Sequence, residues 1–175
     1  MPRIKVKTKA KSEKPSPHSL AQRVLEHQRK KLRLSDPKRP LDSDGQEFIP
    51  ALPPDITELD DSYLGRLHGQ FVAFANYVEH CLAVADVDEL EAEEDEKVTA
   101  AEEILRVSDE GPNAAWRNAS AFLEPRAKAT RKTKRERKAM VKLLQARLHG
   151  CERAIKVLSR EQTRRETERE WRDAD

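Results

Sequence analysis

Apolar residues recur at helical spacing in two separate stretches of the chain. Leu64, Leu67, Phe71, Phe74, Val78, Cys81 and Ala85 stand 3, 4, 3, 4, 3 and 4 residues apart, an unbroken heptad seam. Val141, Leu144, Leu148, Cys151, Ile155 and Leu158 repeat the pattern at 3, 4, 3, 4 and 3. The first stripe weakens over residues 86–97, where eight of twelve residues are acidic, and resumes at Val98, Ala101, Ile104 and Leu105. Between the two stripes, Asp109-Glu110-Gly111-Pro112-Asn113 stops any helix. The pattern therefore predicts a helix over 57–108, a turn over 109–113 and a second helix over 114–172, with Pro125 as a kink or new first turn. Thr57, with Asp60 three residues on and Pro53-Pro54 upstream, reads as the first helix's start.

The two stripes are equidistant from the breaker. Reflecting residues 64 and 85 through Gly111-Pro112-Asn113 gives positions near 160 and 139, and the second seam runs from 141 to 158. Such symmetry is what an antiparallel hairpin requires. The predicted fold is all-α: a long, coiled-coil-like helical hairpin with Leu67, Phe71, Phe74, Val78, Leu144, Leu148, Ile155 and Leu158 in its core. Two helices sharing one narrow seam leave a face uncovered. Tyr63, Tyr77 and Trp116 flank that seam or the turn, so self-association into a homo-oligomer is expected.

Upstream the pattern is different. Residues 1–40 alternate Lys5, Lys7, Lys9 and Lys11 with small residues and then reach Lys14-Pro15-Ser16-Pro17. Such a segment buries too little apolar surface to offset its ordering entropy, and a disordered basic arm is expected. Within it, residues 19–34 carry Leu20, Val24, Leu25, Leu32 and Leu34 among Arg23, Arg29, Lys30, Lys31 and Arg33, a short basic amphipathic helix that folds on a partner. Residues 41–56 continue a proline-rich linker, with Phe48, Ile49 and Leu52 as its docking points.

Charge sharpens this picture. The chain has 175 residues and a net charge of only +2, but 38% of its residues are charged. Residues 1–40 hold 13 Lys and Arg against 3 Asp and Glu, residues 41–111 hold 3 against 20, and residues 112–175 hold 18 against 9. The hairpin reflection lays acidic residues 86–96 opposite a basic run at 126–138, so opposite signs face each other and fix the antiparallel pairing.

The same composition argues against an enzyme, because 37% apolar residues and eight aromatics supply little wall for a concave pocket. GxxxxGK[ST], GxGxxG and GxSxG are all absent. His80-Cys81 and His149 with Cys151 do not make a metal site, since reflection sets Cys81 opposite about residue 145, roughly 6 Å along the helix from the second pair. No cofactor is expected. No run approaches the ~18 apolar residues of a membrane span, and the lysine-rich start lacks an apolar signal core, so a cytoplasmic protein with reduced thiols is expected.

Polyanion binding remains. Candidate contacts are Lys5, Lys7, Lys9, Lys11, Arg29, Lys30, Lys31 and Arg33 in the arm, Arg131, Lys132, Lys134, Arg135 and Lys138 in the basic run, and Arg160, Arg164 and Arg165 near the end. The run from Phe71 to Glu79, the acidic half-helix after it, Leu143-Leu144, and the stretches Cys151–Lys156 and Ser159–Arg165 resemble phage recombination mediators of the UvsY type. The resemblance covers about residues 57–165, with the basic arm and proline linker as departures. It implies a helical, ring-forming protein of the host cytoplasm that binds single-stranded DNA and helps load a recombinase onto it. A structural adaptor of phage packaging or head assembly, binding only proteins, is the alternative expectation.

Overall fold

The computed structural model describes residues 20–32, 37–107 and 113–174, arranged as four helices: α1 (Leu20–Leu32), α2 (Asp61–Arg106), α3 (Ala114–Leu123) and α4 (Pro125–Ala174). At 1.5 Å per residue, the 46 residues of α2 and 50 of α4 make rods of about 70 and 75 Å. No strand occurs among the described residues; one isolated antiparallel bridge joins Leu41 and Glu47. The chain is all-α. The lysine-rich start of the arm, residues 33–36 and most of the 109–113 turn lie outside the described residues.

Two helix boundaries have local reasons: the start of α2 differs from expectation, and Pro125, expected as a kink or new first turn, is the first residue of α4. α2 opens at Asp61 because the Asp60 carboxylate caps it, accepting from the Ser62 and Tyr63 amides at 2.7 and 2.9 Å. The Ser62 side chain first, and then the Tyr63 and Ser62 amides, hold the Asp60 carboxyl below its ordinary pKa. Thr57 instead belongs to the preceding loop, its hydroxyl donating to Asp55 at 2.7 Å. The helix expected over 114–172 is two helices, broken at Glu124 (φ −59°, ψ 139°) because Pro125 excludes the helical conformation from the residue before it. Pro125 then serves as the first residue of α4, where its missing amide hydrogen costs nothing. Asn113 caps α3 through the Trp116 amide at 2.9 Å.

α2 and α4 pack antiparallel along the predicted seam. Asp61 pairs with Arg165, Asp88 with Arg137, Glu96 with Lys134 and Glu102 with Arg126, pairs whose midpoints fall between residues 112.5 and 115. Leu64, Leu67, Phe71, Phe74, Ala75 and Val78 pack against Cys151, Ala154 and Leu158, with Leu144, Leu148 and Ile155 half-buried at the margin. Cys81, read as a seam position, is only half-buried. The seam does not stop at the acidic stretch. Ala85, Ala92 and Thr99 continue it at seven-residue spacing and are buried, as are Val141 and Ala127 on α4. Small residues let the helices stay close there, and charged flanks replace the apolar ones.

Residues 41–56 are not a free linker. Leu41 to Glu47 form a tight reversal in which the Asp42 carboxylate accepts from the Asp44 and Gln46 amides, both at 2.9 Å, and Gly45 takes a positive φ of 76°. This reversal carries Phe48 into the seam edge-on to Phe71 and Phe74, with ring centroids 5.4 and 6.0 Å away. Ile56 and Leu59 pack on the same core. Ile49 is 76% exposed, so of the expected docking points Phe48 alone is buried. The strap thus covers part of the face that a bare hairpin leaves open, and it leaves Tyr77 half-buried beside Phe74.

α1 folds on the chain's own α2. Ala21 is buried, and the Leu20 amide donates to Glu91 at 3.1 Å, which places the basic helix on the acidic half of α2.

Phe74→Ala should lower stability by about 3–5 kcal/mol in urea denaturation followed by circular dichroism, because Phe74 is sealed within the seam. Leu143→Ala, at a position 67% exposed, should stay within about 0.5 kcal/mol. Equal losses would refute this seam.

Candidate nucleic-acid interface

The basic residues of α4 divide according to which way the seam turns them. Toward α2, the Lys134 ammonium lies 2.8 Å from Glu96 and 3.8 Å from Glu93, and the Glu96 hydrogen bond raises its pKa. Arg137 donates to Asp88 at 3.1 Å and Arg126 to Glu102 at 2.7 Å. At the turn end, Arg106 bridges Glu103 and Glu124 at 2.7 and 2.6 Å. These cations already have carboxylate partners, so their charge serves the hairpin before any ligand.

Arg164 and Arg165, expected as polyanion contacts, are committed to the fold. Arg165 is largely buried, donating to Glu161 at 2.7 Å, to Asp61 at 2.7 Å and to the carbonyls of Ile56, Thr57 and Leu59 at 3.1, 3.0 and 2.6 Å. It pins the end of the strap to α4 through charge-assisted hydrogen bonds to three loop carbonyls and Asp61. Arg164 grips Glu161 at 2.7 Å and also reaches Glu168. Hydrogen bonds from Arg164 and Arg165 pull the buried Glu161 carboxyl down to about 2. The spacing of Glu161 to Arg164 and Arg165 at three and four residues was readable in the sequence as an intrahelical pair.

The side of α4 turned away from α2 holds a different set. Lys128, Lys132, Arg135, Lys142, Arg153, Lys156 and Arg160 are all exposed, and with Ala139, Ala146 and His149 they follow one another at alternating spacings of 4 and 3. That stripe runs about 48 Å along the helix and carries no carboxylate of its own. Its acidic neighbours are Glu136, 3.8 Å from Lys132, and Glu152, 3.2 Å from His149. Lys132 and Arg135 are among the contacts expected from the sequence, as is Arg160 at the C-terminal end, whereas Lys142, Arg153 and Lys156 are not. The signal was there, since Lys128, Arg135, Lys142, His149 and Lys156 recur every seven residues out of phase with the seam.

One aromatic ring joins this stripe. Phe122, at the end of α3, is 59% exposed, and the Arg131 guanidinium lies over it with its carbon 3.4 Å from the ring centroid. Arg131 is fixed there by the Ala127 carbonyl at 2.8 Å and by the Phe122 carbonyl. Phe122, Lys128, Arg131, Lys132 and Arg135 line a cleft of about 270 Å³.

Of the other expected contacts, Lys30 and Lys31 are exposed on α1 and Lys138 on α4. Lys5, Lys7, Lys9, Lys11, Arg33 and the side chain of Arg29 lie outside the described residues. The structure therefore brings Lys132 and Arg135 together with the outer stripe, places Arg131 at its Phe122 end and turns Lys134 inward.

Both cysteines are free thiols, and burial pushes the Cys151 thiol up. Among the described residues no group of three or more His, Cys, Asp or Glu side chains is arranged to hold a metal ion, and no helix is long and apolar enough to cross a membrane. Comparison of the chain with models of known protein families, with curated proteins and with solved structures gives no match.

The Glu161 cluster makes a signed pH prediction. A carboxyl depressed to about 2 contributes its full stabilisation above the ordinary carboxylate range and loses it as pH falls through about 2. Glu161→Gln should melt below the native protein at pH 7, and the gap in Tm should close between about pH 4.5 and 2. A gap that is constant over this range would show that Glu161 is not ion-paired.

Proposed function

We propose that this chain is a non-enzymatic DNA-binding accessory protein whose contact surface is the outer stripe of α4. The observation that carries this reading is the row of seven exposed cations on one helix face, of which only Lys132 has a carboxylate within ion-pair distance among the described residues, in a chain whose other basic side chains on α4 are largely taken up by carboxylates. Neutral apolar partners gain nothing from such a row. A nucleic-acid backbone presents a row of phosphates and releases its counterions on contact, which makes binding independent of sequence and strongly weakened by salt. Single strands suit the geometry, because a flexible strand can follow a straight stripe along its whole length.

The resemblance to phage recombination mediators gives this activity a setting: holding single-stranded DNA while a recombinase loads. Self-association belongs to the same proposal. Met140, Leu143 and Val157 are exposed beside the basic stripe, and an assembly that buries them would multiply the number of stripes on one strand. A purely protein-binding adaptor is favoured by a different surface, the exposed Leu90, Val98 and Leu105 of α2.

Fluorescence anisotropy of a labelled single-stranded 30-mer, titrated at several salt concentrations, separates these readings. Replacing Lys128, Arg135, Lys142 and Lys156 together by Gln should weaken binding at least tenfold. It should also flatten the slope of log K against log salt by about 0.7 for each phosphate contact removed. Lys134→Gln should change the affinity far less. Native affinity in the stripe variant, or no binding by the native chain at low salt, would overturn the proposal.

A further inference from the structure

The strongest unassigned feature of the surface is the end of the stripe where α3 meets α4. Phenylalanine side chains most often turn inward. Here Phe122 does not: Ala121 beside it is buried, and the Phe122 ring is left mostly in solvent. It also has a stacking partner. Arg131 donates to the Phe122 carbonyl and lays its guanidinium on the ring, while a second bond to the Ala127 carbonyl at 2.8 Å fixes the same guanidinium from the α4 side. The pair forms a wall between the basic cleft of about 270 Å³ and a second cleft of about 190 Å³ lined by Ala100, Ile104, Ala121 and Ala127.

The basic cleft combines two chemistries. Lys128, Lys132 and Arg135 bring positive charge, and no carboxylate lines it. Phe122 and Arg131 bring a flat, pre-ordered π surface. Phosphates are satisfied by the cations alone, and nothing in phosphate chemistry calls for an aromatic ring. A ligand that uses both parts carries an anion and a planar ring a few ångströms from it, as a nucleotide does when its base is not paired. In duplex DNA the base faces are covered by their neighbours and the ring would find no partner.

We propose that Phe122, stacked on Arg131, is a base-stacking subsite at the end of the α4 stripe, taking one unpaired base while Lys128, Lys132 and Arg135 hold the adjoining phosphates. This rests on the nucleic-acid reading above and adds to it a preference for single strands that a row of cations alone does not supply. The remaining stripe residues then contribute charge without discriminating between strand types.

The test uses the full chain and three probes of equal length and label: oligo(dT), a duplex, and a strand of abasic sites with the same phosphates and no bases. Phe122→Leu keeps an apolar side chain of similar size and should fold as the native chain does. It should weaken oligo(dT) binding about fivefold to thirtyfold, leave duplex and abasic binding within about twofold, and bring the three affinities together. Phe122→Trp should restore the preference for oligo(dT). Equal losses of Phe122→Leu on oligo(dT) and duplex, or undiminished oligo(dT) binding, would overturn the subsite while leaving the charge reading intact. Poly-glutamate displacing the native chain as well as oligo(dT) at equal charge would reassign the cleft to acidic protein segments. If the four-residue stripe variant binds all three probes normally, the nucleic-acid reading itself fails, and that outcome is distinct from any result at Phe122.

Discussion

Two apolar stripes of period 3.5 are buried together only when their helices lie side by side in one phase, and that phase assigns a side to every other residue on both rods. Here it turns Lys134, Arg137 and Arg126 toward the acids of α2, and Lys128, Arg135, Lys142 and Lys156 away from them. Charge on α4 is therefore not one property but two. The inner cations set the antiparallel register in the half of the hairpin where Ala85, Ala92 and Thr99 bury little area. Among the described residues the outer cations have no such partner on α2 and remain as a surface.

The strap and α1 follow from the same constraint. A two-helix seam is thin, and Phe48 thickens it by standing edge-on to two rings already in the seam. Arg165 then ties the strap's end to the far end of α4 through three carbonyls and Asp61, with Glu161 orienting the guanidinium. On the opposite sign of the molecule, the acidic half of α2 receives α1, so both halves of the charge pattern find intramolecular partners where geometry permits.

The hairpin was legible in the sequence because large apolar residues at 3 and 4 spacing leave one reading, and the reflection about residue 112 placed the partner stripe within a few residues. The acidic half was less legible, since a seam made of Ala and Thr looks like an absence of seam. Phe48 showed as an apolar residue, but nothing local showed that the Asp42–Gln46 reversal would deliver it into the core. The candidate surface was half legible. Clustering alone points to Arg164 and Arg165, whose hydrogen bonds to Glu161 commit them to the fold; helical phase points to Lys142, Arg153 and Lys156 instead. Phe122 carried no signal at all, because its exposure depends on the break that Pro125 imposes between α3 and α4.

The register itself is open to direct measurement. Spin labels at Gly69 and Arg160, in a chain with Cys81 and Cys151 replaced by Ala and diluted with unlabelled protein, report one intramolecular distance by pulsed electron–electron resonance. Both positions are exposed. Helices packed 8–10 Å apart with outward labels should give one narrow distribution at about 20–35 Å. A broad distribution, or a distance beyond about 60 Å as expected for rods that do not double back, would contradict the hairpin.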